Sequence, residues 1–186
     1  MKARRSASNE GVTLEITSRD EPLLDAATRL AVKSPLRIDH ILVPIDFSGC
    51  ARKALAYALP LAREQDAEVT LLYAVPPAYV VGEYGGVDYA QVQAGMTETG
   101  REELARLARE VAGAKVQVKT LVRVGVPAAE IVEAARDLPA DLIVISTHGR
   151  TGLKHVLLGS VAEHVVQRAP CPVLVVREHE REMLND

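Results

Sequence analysis

The sequence predicts a three-layer α/β/α domain built on a five-stranded, parallel, doubly wound sheet. Two observations lead there. Short, almost uninterrupted apolar runs, the mark of strands covered on both faces, alternate along the chain with stretches whose apolar residues recur at helical spacing. That alternation means right-handed crossovers between parallel strands, with helices on both faces of the sheet. Only five such runs occur in 186 residues, which favours an open sheet over a barrel of eight.

The elements follow in order. Residues 1–37 carry mixed charge, one β-prone run from Val12 to Ile16, and a helical pattern over 21–32 in which Leu24, Ala27, Leu30 and Ala31 share a face; Ser34-Pro35 stops it. This part is expected to be an extension of unassigned role. Regularity begins at Ile38, so the domain is expected over 38–178, with a tail at 179–186. Ile38–Ile45 is the first strand. Ser48–Gln65 is a helix with an alanine-rich stripe (Ala51, Ala54, Leu55, Ala58, Ala62) and Pro60 near its end. Glu68–Val75 is the second strand, and residues 76–87 form a Pro/Gly-rich loop. A long helix follows over 88–112, its apolar face made by Leu104, Leu107, Ala108 and Val111. Lys115–Val124 alternates as a third strand, and Gly125-Val126-Pro127 turns the chain into a short helix with Pro127 at its first position. Asp141–Ser146 is the fourth strand, Ser160–Ala169 the last helix and Pro172–Val176 the fifth strand.

Composition removes several classes of function. Aromatics supply 3% of residues, too few for the stacking platforms of single-strand nucleic-acid binders. The 22 Lys and Arg against 25 Asp and Glu give a formal charge of −3, so no basic field draws the protein to nucleic acid or to a membrane surface. Cys50 and Cys171 match no metal or redox spacing and are expected to be reduced, mostly buried thiols. No run approaches the roughly 18 apolar residues of a membrane span. The start MKARRSASNEGVTLE lacks the apolar stretch of a signal peptide. A cytoplasmic location follows by exclusion.

In a doubly wound sheet ligands bind beyond the carboxyl ends of the strands, where the strand order reverses. Here the first and fourth strands are expected to flank that crevice. They lead into Pro44-Ile45-Asp46-Phe47-Ser48 and into Ser146-Thr147-His148-Gly149-Arg150-Thr151-Gly152. The second loop, rich in Gly and hydroxyls with one cation, suits a phosphate cradle, and it feeds a helix opening at Gly159-Ser160. The same residues fit a bland reading: Ser160-Val161-Ala162-Glu163 is also a capping box, and one Ser can do both jobs. Asp46 either caps the first helix or forms an ion pair, and His148 is expected to be an ordinary loop residue. There is no G-x-x-x-x-G-K-[ST], no G-x-G-x-x-G and no G-x-S-x-G, which removes P-loop, standard dinucleotide and hydrolase-elbow chemistry. A phosphoacceptor receiver needs an acidic pair after the first strand, and Asp46 stands alone.

Taken together, Ile41-Leu42-Val43-Pro44-Ile45-Asp46-Phe47-Ser48, the Val124-Gly125-Val126-Pro127 turn, the Ser146–Gly152 loop, Gly159-Ser160 and Ala169-Pro170-Cys171-Pro172-Val173-Leu174-Val175-Val176 resemble the universal stress protein family over about three quarters of the chain. The resemblance implies an adenine nucleotide α hydrolase-like fold. Its nucleotide-binding branch carries G-x-x-G, nine residues, then G-[ST]; Gly149, Arg150–Leu158 and Gly159-Ser160 fit, while Ser146 stands where the first Gly belongs. The resemblance further implies ATP as ligand. Asp46 and Ala74 would lie at the adenine, Pro44 beside the ribose, and Ser146, Gly149 and Arg150 along ribose and phosphates, with Gly159, Ser160 and Val161 holding the phosphates. Mg or Mn would accompany the phosphates, although no acidic cluster specifies such an ion. It implies a dimer, expected through the short apolar last strand, and a stress-responsive binding module. Two other readings stay open: a nucleotide-free dimeric interaction protein, and a slow ATPase or autokinase.

Overall fold

The computed structural model describes residues 2–5, 12–15, 36–77, 89–111, 113, 115–149 and 158–178, the first two segments by backbone alone. The chain divides into two compact units, Met1–Arg37 and Ile38–Asp186. In the first, β1 (Lys2–Arg5) pairs antiparallel with β2 (Val12–Glu15), Lys2 opposite Glu15 and Arg5 opposite Val12. No sign of β1 stands in the sequence, because three basic residues and an alanine, Lys2-Ala3-Arg4-Arg5, lack strand propensity. The helix expected over 21–32 lies outside the described residues.

The second unit contains β3 (His40–Pro44), α1 (Gly49–Gln65), β4 (Glu68–Val75), α2 (Tyr89–Val111), β5 (Val118–Val124), α3 (Pro127–Asp137), β6 (Leu142–Ser146), α4 (Ser160–Arg168) and β7 (Val173–Val176). All five strands are parallel, in the order β5-β4-β3-β6-β7. The chain therefore winds outward from β3 in one direction, returns, and winds outward from β6 in the other. The three-layer doubly wound architecture read from the apolar runs is the one observed.

Strand alternation feeds two cores. Ile41, Val43, Val69, Leu71 and Val144 face α1 and α2, against Ala54, Leu55, Ala58, Leu104 and Leu107. Leu42, Leu72, Ile143 and Ile145 face α3 and α4, against Ile131, Val132, Ala135, Ala162 and Val165. Small alanines on α1 let the helix sit close to the sheet, which is why an alanine-rich stripe suffices as its apolar face. The strand expected from Lys115 begins three residues later, at Val118, because Lys115 takes a left-handed φ of 56° that extended pairing cannot include. Its edge position also leaves Lys119, Thr120 and Val124 exposed, so the alternation seen in sequence is not matched by a buried face.

The ladder between β3 and β6 contains Ile41↔Leu142 and Leu42↔Ile143, short of the end of both strands. The ladder between β3 and β4 runs on to Pro44↔Leu72. The crevice expected at the reversal point opens where the first of these ladders stops.

Candidate functional site

A cavity of about 370 Å³ lies at that point. Each wall comes from a different element: Pro44 and Asp46 from the end of β3, Ala74 and Pro76 from β4, Ser146, His148 and Gly149 from the loop after β6, Gly159, Ser160 and Val161 from the start of α4, and Pro127 and Ile131 from α3. Eight of the nine residues singled out from the sequence thus converge on one cavity. The ninth, Arg150, lies outside the described residues.

The β3–α1 turn is built around the carboxylate of Asp46. Its Oδ1 accepts from the Ser48 backbone N–H at 3.0 Å and from the Ser48 hydroxyl at 2.6 Å. Ser48 is the N-cap of α1, its Oγ accepting from the Ala51 N–H at 3.2 Å. The cap is therefore Ser48, and the reading of Asp46 as the cap is corrected. Closing this turn puts Phe47 at a φ of 66°, a left-handed conformation that costs a residue with a Cβ about 1–2 kcal/mol. The Phe47 ring rests on Tyr73, centroids 4.8 Å apart, and this contact offsets part of that cost.

Thr147, which sequence reasoning passed over, organises the opposite wall. It is 3% exposed. Its N–H donates to the Val176 carbonyl at 2.9 Å, its carbonyl accepts from the Gly159 N–H at 2.8 Å, and its Oγ1 lies 2.9 Å from His148 Nδ1. One residue thus ties the loop to the edge strand β7 and to the start of α4. A Cβ on Gly159 would stand 2.8 Å from the Thr147 carbonyl oxygen, so this approach requires glycine. The Ser146 hydroxyl donates to the His148 carbonyl at 3.0 Å, turning the residue that departs from the glycine pattern into an internal brace of the loop. Gly149 adopts no left-handed φ; what a Cβ there would strike is Asp46 Oδ2.

At α4 the structure corrects the capping-box reading. Gly159 is the N-cap, extended at φ −69° and ψ 152° and without a side chain to make a cap bond, and Ser160 is the first residue inside the helix. The Glu163 N–H accordingly bonds to the Gly159 carbonyl at 2.9 Å. The N–H groups of the first turn have no partner within the helix, and with the positive end of its dipole they form a site ready for an anion.

Both cysteines are half-buried rather than mostly buried. Burial, then the charges of Glu178 and Asp46, push the Cys50 thiol above its ordinary range. Burial, then Asp141, does the same to Cys171. Neither is a thiolate at neutral pH, so thiol nucleophilicity adds nothing to the site. Among the described residues no group of three or more His, Cys, Asp or Glu is placed to hold a metal, and no helix is long and apolar enough to cross a membrane.

An open parallel sheet with a cavity at its reversal point and a helix N-terminus in the cavity wall defines an α/β domain of the doubly wound class, with the cavity where such sheets take ligands. The universal stress protein family model matches residues 37–177. The chain belongs to that family. A universal stress protein of Methanocaldococcus jannaschii is 40% identical over 142 residues, covering 76% of this chain and 84% of its own length. The solved universal stress protein UspA of Lactobacillus plantarum superposes with a TM-score of 0.69 at 28% identity, covering 77% of this chain and 100% of the other. A family protein of Arabidopsis thaliana solved with AMP bound shares the fold at a TM-score of 0.56 and 19% identity, covering 80% of this chain and 97% of its own.

Proposed function

We propose that this protein is an ATP-binding regulatory module of the stress response that works as a cytoplasmic homodimer. The observation that carries the reading is the cavity at the sheet's reversal point, with the first turn of α4, whose N–H groups have no partner within the helix, in its wall. Asp46 and Ala74 take the adenine, Pro44 the ribose, and Ser146, Gly149 and Arg150 follow the ribose and phosphates to Gly159, Ser160 and Val161. A divalent Mg or Mn ion would be coordinated by the phosphates and water, since the described side chains supply no acidic cluster. The AMP bound by the Arabidopsis protein agrees with this reading, although likeness at 19% identity speaks for the fold alone.

Mass spectrometry of the protein purified without added nucleotide should detect ATP or AMP, and calorimetric titration of stripped protein should show ATP binding that is tightened by Mg or Mn. Absence of nucleotide from the purified protein together with no heat of binding at about millimolar ATP, an affinity weaker than roughly −4 kcal/mol, overturns it. The homodimer rests on β7, an apolar strand that stands last in the sheet among the described residues. Val175→Lys should shift sedimentation from dimer to monomer, and a wild-type chain that sediments as a monomer at micromolar concentration sinks that part.

A further inference from the structure

Helix α2 meets the sheet late. Its buried residues are Gly100, Leu104 and Leu107, and none before Gly100 is buried. Tyr89, Val92 and Met96, which precede Gly100 at helical spacing, are exposed. At Gly100 the helix touches the ring of Tyr73, whose Cδ1 and Cε1 occupy the space that a Cβ would take. Glycine inside a helix costs stability, and here the close approach of a ring gives it a reason. Gly95, in the same helix, meets nothing within 4 Å. The Tyr73 ring also lies 4.8 Å from the ring of Phe47, tilted by 54°. Phe47 stands at φ 66° between Asp46 and Ser48, in the turn whose Asp46 lines the cavity. Gly100, Tyr73 and Phe47 thus make one line of contact from α2 to the cavity turn.

We propose that Gly100 and Tyr73 are positioning residues for the cavity: through Phe47 they hold the β3–α1 turn and couple the position of α2 to the cavity wall. A left-handed residue with a Cβ persists only where its surroundings hold it, and the Tyr73 ring is one of the groups that hold Phe47. The ring can rest there because Gly100 leaves it room. A side chain at position 100 must push the ring, and packed interiors pass such a push to the next contact. The coupling is reciprocal, so a ligand that steadies the turn also steadies α2 at the point where its burial begins. Its consequence for binding rests on the nucleotide reading of the cavity; the packing line itself does not.

Three measurements test the proposal, and two need no ligand. Gly100→Ala should lower the melting temperature by about 2 °C or more in the wild-type background. In a Tyr73→Ala background it should raise it, because only the better helix propensity of alanine remains. Gly95→Ala, with open space around it, should raise it in both. Hydrogen exchange read by mass spectrometry carries the test to the turn. Peptides spanning 46–52 should exchange about threefold or more faster in Gly100→Ala than in wild type, and the substitution should add nothing in the Tyr73→Ala background. Tyr73→Phe, which keeps the ring, should exchange like wild type. A melting loss without faster exchange in the turn marks local overpacking and overturns the proposal, as does a rise that is equal in both backgrounds. Calorimetric titration with AMP, at a temperature where circular dichroism shows the variant folded, should find binding to Gly100→Ala weaker by about threefold or more. Gly100→Ala should bring no further loss on top of Tyr73→Ala. A faster-exchanging turn with unchanged AMP affinity overturns the role in the cavity. Wild-type protein that binds no AMP refutes the nucleotide reading instead, and the exchange cycle then decides the coupling by itself.

Discussion

The two ends of the sheet differ in what their polar groups surround. At the amino end of the strands, side chains bond to the protein's own backbone and to one another. Asp141 Oδ2 accepts from the Asp39 and His40 N–H groups at 2.8 and 2.9 Å, tying the start of β3 to the start of β6. Glu68 receives Lys119 at 2.8 Å and Gln117 at 2.8 Å. At the carboxyl end side chains bond to backbone as well, Asp46 accepting from the Ser48 N–H and the Ser146 hydroxyl donating to the His148 carbonyl, but they do so around a cavity. Phe47 is kept in a left-handed conformation, Gly159 lies against a carbonyl, and the first turn of α4 keeps its N–H groups for something outside the helix. One end ties strand starts together; the other sets a helix start and a left-handed residue beside a cavity. The difference teaches where substitutions should separate stability from binding.

The largest effect is expected where both demands meet. Gly159→Val sets a branched side chain against the Thr147 carbonyl, so the loop and the start of α4 must part. The cost should be about 1–3 kcal/mol of stability, the usual range for overpacking, together with loss of detectable ATP binding. Chemical denaturation and calorimetry measure the two. If ATP still binds to a destabilised protein, the carboxyl end does not need this close approach.

Ser160→Asp should separate the properties at the same end. Ser160 is inside the helix and is not its cap, so stability should stay within about 0.5 kcal/mol, helped by a carboxylate in the first turn of the helix. Against a polyphosphate the same charge repels, and ATP affinity should fall by about tenfold or more, roughly 1.4 kcal/mol. Unchanged affinity in the folded variant would move the phosphates away from α4. The mirror experiment is Asp141→Ala at the amino end. It strips an acceptor from two backbone donors and should cost roughly 1–2 kcal/mol, at the low end for bonds to a charged group because this one faces water. ATP affinity should not change, and a parallel fall in affinity would erase the contrast between the ends.

What was legible in the sequence follows the same division. The strand runs that fill both cores are local patterns, so the sheet, its reversal point and the cavity-lining loops could be read from Ile41–Ile45, Val69–Val75 and Leu142–Ile145 alone. The misreadings concern contacts between segments distant in sequence. S-x-x-E fits Ser160 as a cap, and only the bond between the Gly159 N–H and the Thr147 carbonyl, twelve residues back, moves the cap by one position. Thr147 carries no signal at all, since a buried threonine that links a loop, a strand and a helix looks in sequence like any other small hydroxyl. The turn at Ser48 had a signal that went unused: a Ser two residues after an Asp, before an apolar stripe, is an Asx turn leading into an N-cap. That Gly149 also lies against Asp46 had no local signal, because the two stand about a hundred residues apart.

The smallest expected effect uses the cysteines, which happen to stand one at each end. Cys50 opens α1 beside Asp46, and Cys171 precedes β7 within the field of Asp141. For both, burial is the largest cause of a raised pKa and carboxylates come after it, Glu178 and then Asp46 at Cys50 and Asp141 at Cys171. A thiol whose folded pKa lies above its unfolded value binds more protons when folded, so its contribution to stability is complete below about pH 9 and is lost as pH rises through the folded value. Replacing one carboxylate should therefore lower the pKa of its own cysteine part of the way and leave the other unmoved: Asp46→Asn acts on Cys50, Asp141→Asn on Cys171. Ultraviolet absorbance of the thiolate, recorded against pH in single-cysteine variants of the folded protein, resolves the two. Since burial stays in place, each variant should still titrate above an unstructured thiol. If Asp141→Asn moved Cys50 as well, the ends would be electrostatically or structurally coupled, and the division between a closing end and an open one would have to be drawn elsewhere.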